Sequence, residues 1–139
     1  MILIDTNAIS ELWRPAPDAR VIAWFNAQAI ETLYISAVTV AELRYGIAVL
    51  PVGHRRQTLH ARMERDVFQL FGGRVLPFDL DASQAYADLM ARAQAAGRPI
   101  GMADAYIAAT AASRRLMVAT PDTSPFEAAG LTIINPWQA

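Results

Sequence analysis

Five short apolar runs alternate with segments of helical spacing, and this pattern limits the chain more than any other feature. The runs are Ile2 to Ile4, Leu33 to Ile35, Val75 to Phe78, Leu116 to Ala119 and Thr132 to Ile134. Each is continuous rather than alternating, as expected of strands covered on both faces. The segment after Asp5 reads as helix. Further helices are predicted over Asp18 to Gln28, Val38 to Val49, His54 to Phe71, Ala82 to Ala96 and Met102 to Arg115. Within His54–Phe71, Leu59, Met63, Val67 and Leu70 recur at three- and four-residue spacing. The alanine pairs of "AATAA" would let the last helix lie close to a sheet. Strand and helix alternate over the whole length, which predicts one α/β domain over residues 1–139. Its architecture is expected to be doubly wound, with a five-stranded, mainly parallel sheet and helices on both faces.

Composition removes several chemistries. There is no cysteine, so disulfides, thiolate nucleophiles and cysteine-ligated zinc are excluded. All 12 basic residues are arginine, which closes every mechanism that needs a lysine, the P-loop type included. A net charge of −1 gives no broad attraction for polyanions, so any contact with nucleic acid must come from local clusters. No signal peptide or membrane-length apolar run is apparent, and a soluble, cytoplasmic protein with no membrane contact is expected.

In a doubly wound sheet, ligands sit beyond the carboxyl ends of the strands. Four acidic residues fall at such places. Asp5 directly follows the first run, where it or Thr6 or Asn7 would equally serve as a helix cap. Glu42 lies shortly after the second run in "ISAVTVAELRYG", where Thr39 and Glu42 also have the form of a capping box. Asp104 opens an otherwise apolar helix in "GMADAYIAATAA". There the helix dipole would stabilise it by roughly 0.3–1 kcal/mol, yet its neighbours are those of a packing surface. Asp122 follows the fourth run in "VATPDTSPF", a sequence that also suits a turn.

Each residue has a structural use, but together they converge on one sheet edge. Like charges so close raise one another's pKa, and a hard divalent cation with a preference for oxygen, Mg²⁺ or Mn²⁺, relieves the repulsion. Such a site can activate water and steady a phosphate oxygen, which reads as metal-assisted phosphodiester hydrolysis.

The segments "LIDTNAISEL", "ISAVTVAELRYGI", "GMADAYIAATA", "VAT" with Asp122 two residues on, and "GLTIINPW" resemble, in order and over nearly the whole chain, the PIN-domain ribonucleases. Within these they resemble the VapC toxins of toxin–antitoxin pairs, including the FitB-like branch. The resemblance implies a metal-dependent endoribonuclease toxin, with Asp5, Glu42, Asp104 and Asp122 as its acidic, metal-binding quartet. Thr6 and Thr120 match positions that orient the quartet through hydrogen bonds. It also implies a homodimer, an RNA substrate, and a small VapB-like antitoxin that fills the groove and the site, giving a higher assembly. The stretch "TPDTSPF" departs from the family pattern, with Pro121 and Pro125 where Arg and Asp are frequent. That departure motivates an alternative reading: a PIN-fold module with an impaired site that binds RNA or a protein partner. Other aspartate-based phosphotransfer folds also place an Asp after the first strand, but they usually employ a lysine that this chain lacks.

Arg55, Arg56 and Arg62 in "GHRRQTLHARMERD" are candidates for RNA contact, or simply part of a solvated helix face. His54 and His60 lie in the same polar stretch and match no paired-histidine nuclease pattern. Trp13, Trp24 and Phe25 are expected in the core or on a partner surface. Leu43, Tyr45, Ile47 and Leu50 are candidates for an antitoxin groove or a dimer contact.

Overall fold

The computed structural model describes residues 1–139. Five strands, β1 (Ile2–Ile4), β2 (Leu33–Ser36), β3 (Val75–Leu76), β4 (Met117–Ala119) and β5 (Ile133–Ile134), form one sheet in the order β3-β2-β1-β4-β5. Every pairing is parallel, so the sheet is wholly rather than mainly parallel. The helices are α1 (Thr6–Glu11), α2 (Ala19–Asn26), α3 (Ala37–Ala48), α4 (His54–Phe71), α5 (Leu80–Ala95), α6 (Met102–Ser113) and α7 (Thr123–Ala128), with a 3₁₀ turn at Ile30–Thr32.

The continuous apolar runs have a direct cause. Side chains alternate along a strand, and both faces of this sheet are covered. Leu3, Leu76 and Val118 pack with α5, α6 and α7 on one face. Ile2, Ile4, Leu33 and Ile35 pack with α1 to α4 on the other. Fully burying one such side chain contributes about 1.5–3 kcal/mol. Ala105, Ala108, Ala109 and Ala111 are completely buried, so α6 lies against the sheet with almost no side-chain spacer, as the alanine pairs predict. No helix is long and apolar enough to cross a membrane.

Two local expectations are corrected. Thr39 and Glu42 do not form a capping box, because α3 starts earlier. Ser36 is its N-cap, and its Oγ accepts from the Val38 N–H at 3.0 Å. The segment "TPDTSPF" is not a simple turn but runs into α7. Pro125 is tolerated there because it is the third helical residue, where the chain needs no N–H donor. Its carbonyl still accepts from Ala129 N at 3.2 Å.

The order of the strands sets the position of the site. From β1 the chain moves outward to β2 and β3 with α1 to α4 on one face. It then returns to the other side of β1, making β4 and β5 with α5 to α7 on the opposite face. The winding therefore reverses between β1 and β4, and a crevice opens beyond their carboxyl ends.

Candidate active site

Asp5 and Thr120 are the residues that leave β1 and β4 at this crevice. Asp5 N donates to the Ala119 carbonyl at 2.9 Å, which continues the ladder to the strand end. Asp5 is the N-cap of α1: its backbone oxygen accepts from Ala8 and Ile9 N–H, both at 3.1 Å. The carboxylate is buried and held at both oxygens. Oδ1 accepts from Thr6 N at 2.8 Å, and Oδ2 accepts from the Thr120 hydroxyl at 2.8 Å. The structural and the functional readings of Asp5 thus describe one residue with two uses.

Thr6 carries the arrangement across to α3. Its hydroxyl donates to Glu42 Oε1 at 2.6 Å. A hydroxyl has one hydrogen to give, so the Thr6 oxygen accepts from the buried Thr39 hydroxyl, 3.1 Å away. Thr120 does the same on the other side. Its hydroxyl is given to Asp5, and its oxygen accepts from Asp122 N at 3.1 Å, which fixes the start of α7.

Asp104, the third residue of α6, is half-buried, and Asp122 is exposed. The Asp104 and Asp122 side chains make no hydrogen bond or ion pair of their own in the structure.

The electrostatics tie the four acids together. Burial pushes the Asp5 carboxyl up to about 6, against the hydrogen bonds from Thr120 and Thr6, and the charges of Asp104 and Glu42 add to the rise. Partial burial also raises Asp104, followed by repulsion from Asp122 and Glu42. The carboxylates converge without forming a finished cage, for no group of three acidic or histidine side chains is drawn up around one point.

Two openings lead to the crevice. A groove of about 730 Å³ between α1, α3 and α4 reaches Thr6 and Glu42, and Leu43, Ile47, Leu50 and Arg55 line it. A smaller cleft of about 460 Å³ holds Asp104 and Asp122 together with Arg98.

The remaining predicted residues are scattered. Arg56 lies in a separate hollow with Arg44 and His60. Arg62 stands 3.8 Å from Asp66 on its own helix. His54 lines the large groove, with its ring 3.4 Å from the Thr58 hydroxyl. Trp13 is in the groove wall, where its indole N–H donates to Asp66 at 2.8 Å, while Trp24 is core. Tyr45 is exposed outside the groove. Sequence reasoning missed Thr39 as a support for Thr6, and it missed Arg98. Thr39 does carry a signal, since it lies one helical turn before Glu42.

Residues 2–131 match the PIN domain, the class of protein that this strand order and acidic crevice define. The chain is 63% identical over 138 residues to the VapC ribonuclease Y4jK of Sinorhizobium fredii, with 99% of each chain covered. It is 49% identical over 137 residues to Toxin FitB of Neisseria gonorrhoeae, again with 99% of each covered. The crystal structure of FitAcB from Neisseria gonorrhoeae matches it with a TM-score of 0.96 at 48% identity, over 100% of both chains. The chain belongs to the PIN-domain family, in the branch that holds this VapC ribonuclease and Toxin FitB.

Proposed function

We propose that this protein is the toxin of a toxin–antitoxin pair and acts as a divalent-metal-dependent endoribonuclease through Asp5, Glu42, Asp104 and Asp122. Ribonuclease activity and an antitoxin partner follow from its close relatives. The observation that carries the site assignment is Asp5. It is buried at the switch point, fixed at both oxygens, and within the electrostatic reach of Glu42 and Asp104.

The donor set fits Mg²⁺ or Mn²⁺. It is all oxygen, it is self-repelling, and Asp5 holds a proton up to about pH 6 unless a cation replaces it. Mg²⁺ usually takes one or two carboxylates directly and completes its shell with water and phosphate, so some of the four acids would act through bound water. When bound, the cation acidifies water and withdraws charge from the phosphate. The chain itself supplies orientation. Thr120 and the Thr6 N–H fix the plane of the Asp5 carboxylate, and the Thr6 hydroxyl holds one oxygen of Glu42, leaving the other free. The hold of Thr120 on the Asp122 backbone supports Asp122 as the fourth acid despite the atypical "TPDTSPF" segment. Arg55, in the groove that reaches Glu42, contacts RNA phosphates, whereas Arg56 and Arg62 stand farther off. The apolar stretch of the groove at Leu43, Ile47 and Leu50 receives the antitoxin. A homodimer, action in the cytoplasm and a single functional unit over residues 1–139 rest on the family resemblance.

Purified antitoxin-free protein, incubated with total transfer RNA and ribosomal RNA, should give discrete fragments with Mg²⁺ or Mn²⁺ and none with EDTA. Their ends should be 5′-phosphate and 3′-hydroxyl, and Asp104→Asn should abolish them. A 2′,3′-cyclic phosphate, or cleavage that survives EDTA, would contradict the assignment. RNA binding that ignores both metal and Asp104 would favour the non-catalytic module.

A further inference from the structure

We propose that Arg98 is a substrate-positioning residue. It contacts an RNA phosphate on the Asp104–Asp122 side of the crevice, opposite the Arg55 side. The proposal rests on the ribonuclease reading and adds a contact that the reading does not contain.

The arginines of this chain sort by what they hold. Arg14, Arg20, Arg44, Arg62, Arg65 and Arg114 are paired with carboxylates. Arg74 donates to the Leu33 carbonyl and to Leu70, which closes the end of α4. The arginines left without an ion pair or side-chain hydrogen bond are Arg55, Arg56, Arg92, Arg98 and Arg115. Of these, Arg55 lines the opening that holds Glu42, and Arg98 lines the opening that holds Asp104 and Asp122 as well as an adjoining hollow beside Met90 and Gln94. Arg56, Arg92 and Arg115 line hollows that contain none of the four acids. A guanidinium that shares a cleft with two carboxylates and yet pairs with neither is available to an incoming anion.

The backbone holds Arg98 in place. Gly97 takes φ +65° to end α5, and Arg98 N donates back to the Ala93 carbonyl at 2.9 Å, the geometry of a glycine-terminated helix. Pro99 follows, then Ile100, which is buried, and Gly101, the N-cap of α6. The residue is thus set on a stiff joint between α5 and α6 while its side chain remains exposed.

Chemistry gives the joint its use. RNA phosphates approaching four carboxylates are repelled, and the net charge of −1 offers no general compensation. A free guanidinium at the rim provides a planar pair of donors that matches phosphate oxygens. With Arg55 at one opening and Arg98 at the other, phosphates on both sides of the scissile bond have a cationic contact. That arrangement draws one strand across the crevice.

The test compares wild-type protein with Arg98→Gln, Arg98→Lys and, as a control on the same helical hairpin, Arg92→Gln. Cleavage of labelled bulk transfer RNA in Mg²⁺ is followed over substrate and salt concentration. Arg98→Gln should raise KM by about tenfold with kcat little changed, the loss expected for one charge-assisted contact. It should also lower the salt slope of log(kcat/KM) by about 0.7, one phosphate contact on a single strand. Arg98→Lys should recover most of the salt slope but less of the KM, and Arg92→Gln should behave as wild type. If Arg98→Gln matches wild type, or if Arg92→Gln falls as far, the assignment of Arg98 is overturned while the ribonuclease stands. If wild type itself cleaves no RNA, the ribonuclease reading and this contact fall together.

Discussion

The two sides of the crevice are built differently. On the Asp5–Glu42 side every carboxylate has a protein partner. Thr120 and the Thr6 N–H hold Asp5, Thr6 holds Glu42, and Thr39 backs Thr6 from a buried position. On the Asp104–Asp122 side the acids have none, although partial burial and then the charges of Asp122 and Glu42 raise Asp104, and Asp122 is placed through its backbone. Burial explains the hold on Asp5: a buried carboxylate left without hydrogen bonds costs several kcal/mol, so the fold must satisfy it. Glu42 and Asp104 are alike half-buried and differ in that the Thr6 hydroxyl reaches Glu42 and no side chain reaches Asp104, while Asp122 is exposed. One half of the site is fixed by hydrogen bonds within the fold; the other presents two acids without protein partners.

Removing charge from the open side should have the largest effect. Asp104→Asn should cut RNA cleavage by at least about 10²-fold while leaving the melting temperature unchanged or raised, since a destabilised charge is lost. A folded protein that retained activity would show that the open side of the crevice takes no part in cleavage. Thr120→Val should come next, because it strips a buried acid of its donor and Asp122 of its anchor. Chemical denaturation should show a loss of about 1–3 kcal/mol, and cleavage should fall about 10–100-fold. Thr120→Ser should restore most of both. Asp122→Asn should be milder in activity than Asp104→Asn, because Asp122 is exposed.

The inner side also predicts a pH dependence. The unfolded chain releases the Asp5 proton near the ordinary value of 3.8, whereas the folded chain keeps it up to about 6. Between those values the folded state binds more protons, so stability falls as pH rises. In EDTA, wild type should lose on the order of 2 kcal/mol relative to Asp5→Asn across that window. The opposing contributions of Asp18 and Glu64, whose carboxyls are lowered by Arg20 and Arg44, cancel in the difference. A flat difference between the two denaturation series would remove the proposed strain at Asp5.

Legibility in the sequence follows the same division. Strands covered on both faces write themselves as unbroken apolar runs, so Ile2–Ile4 and the 18 residues of His54–Phe71 are read to the residue. The third run overshoots β3 because Pro77, which has no N–H for the ladder, stops pairing after Leu76. The α7 helix was hidden by Pro121 and Pro125, residues that signal a turn unless they fall before or within a first helical turn. The acids were visible as residues following strands or opening helices. Their supports were less so. The bond of Thr6 to Glu42 spans 36 residues of chain, and that of Thr120 to Asp5 spans 115, and no local pattern encodes either. Thr6 and Thr120 were reached only through the family resemblance. Arg98 sat in "GRPIG", which reads as a separator, although a Gly and a Pro on either side of one arginine mark a fixed position.

The most direct test is a calorimetric titration of Mn²⁺ into antitoxin-free protein at about pH 7 and about pH 5.5, in buffers of different ionisation heat. Binding should release protons, and the release should grow as Asp5 becomes protonated toward the lower pH. Asp104→Asn should weaken binding at least about tenfold. Mn²⁺ binding of undiminished strength in Asp104→Asn, or no binding by wild type at all, would contradict the claim that these four carboxylates form one metal-dependent site.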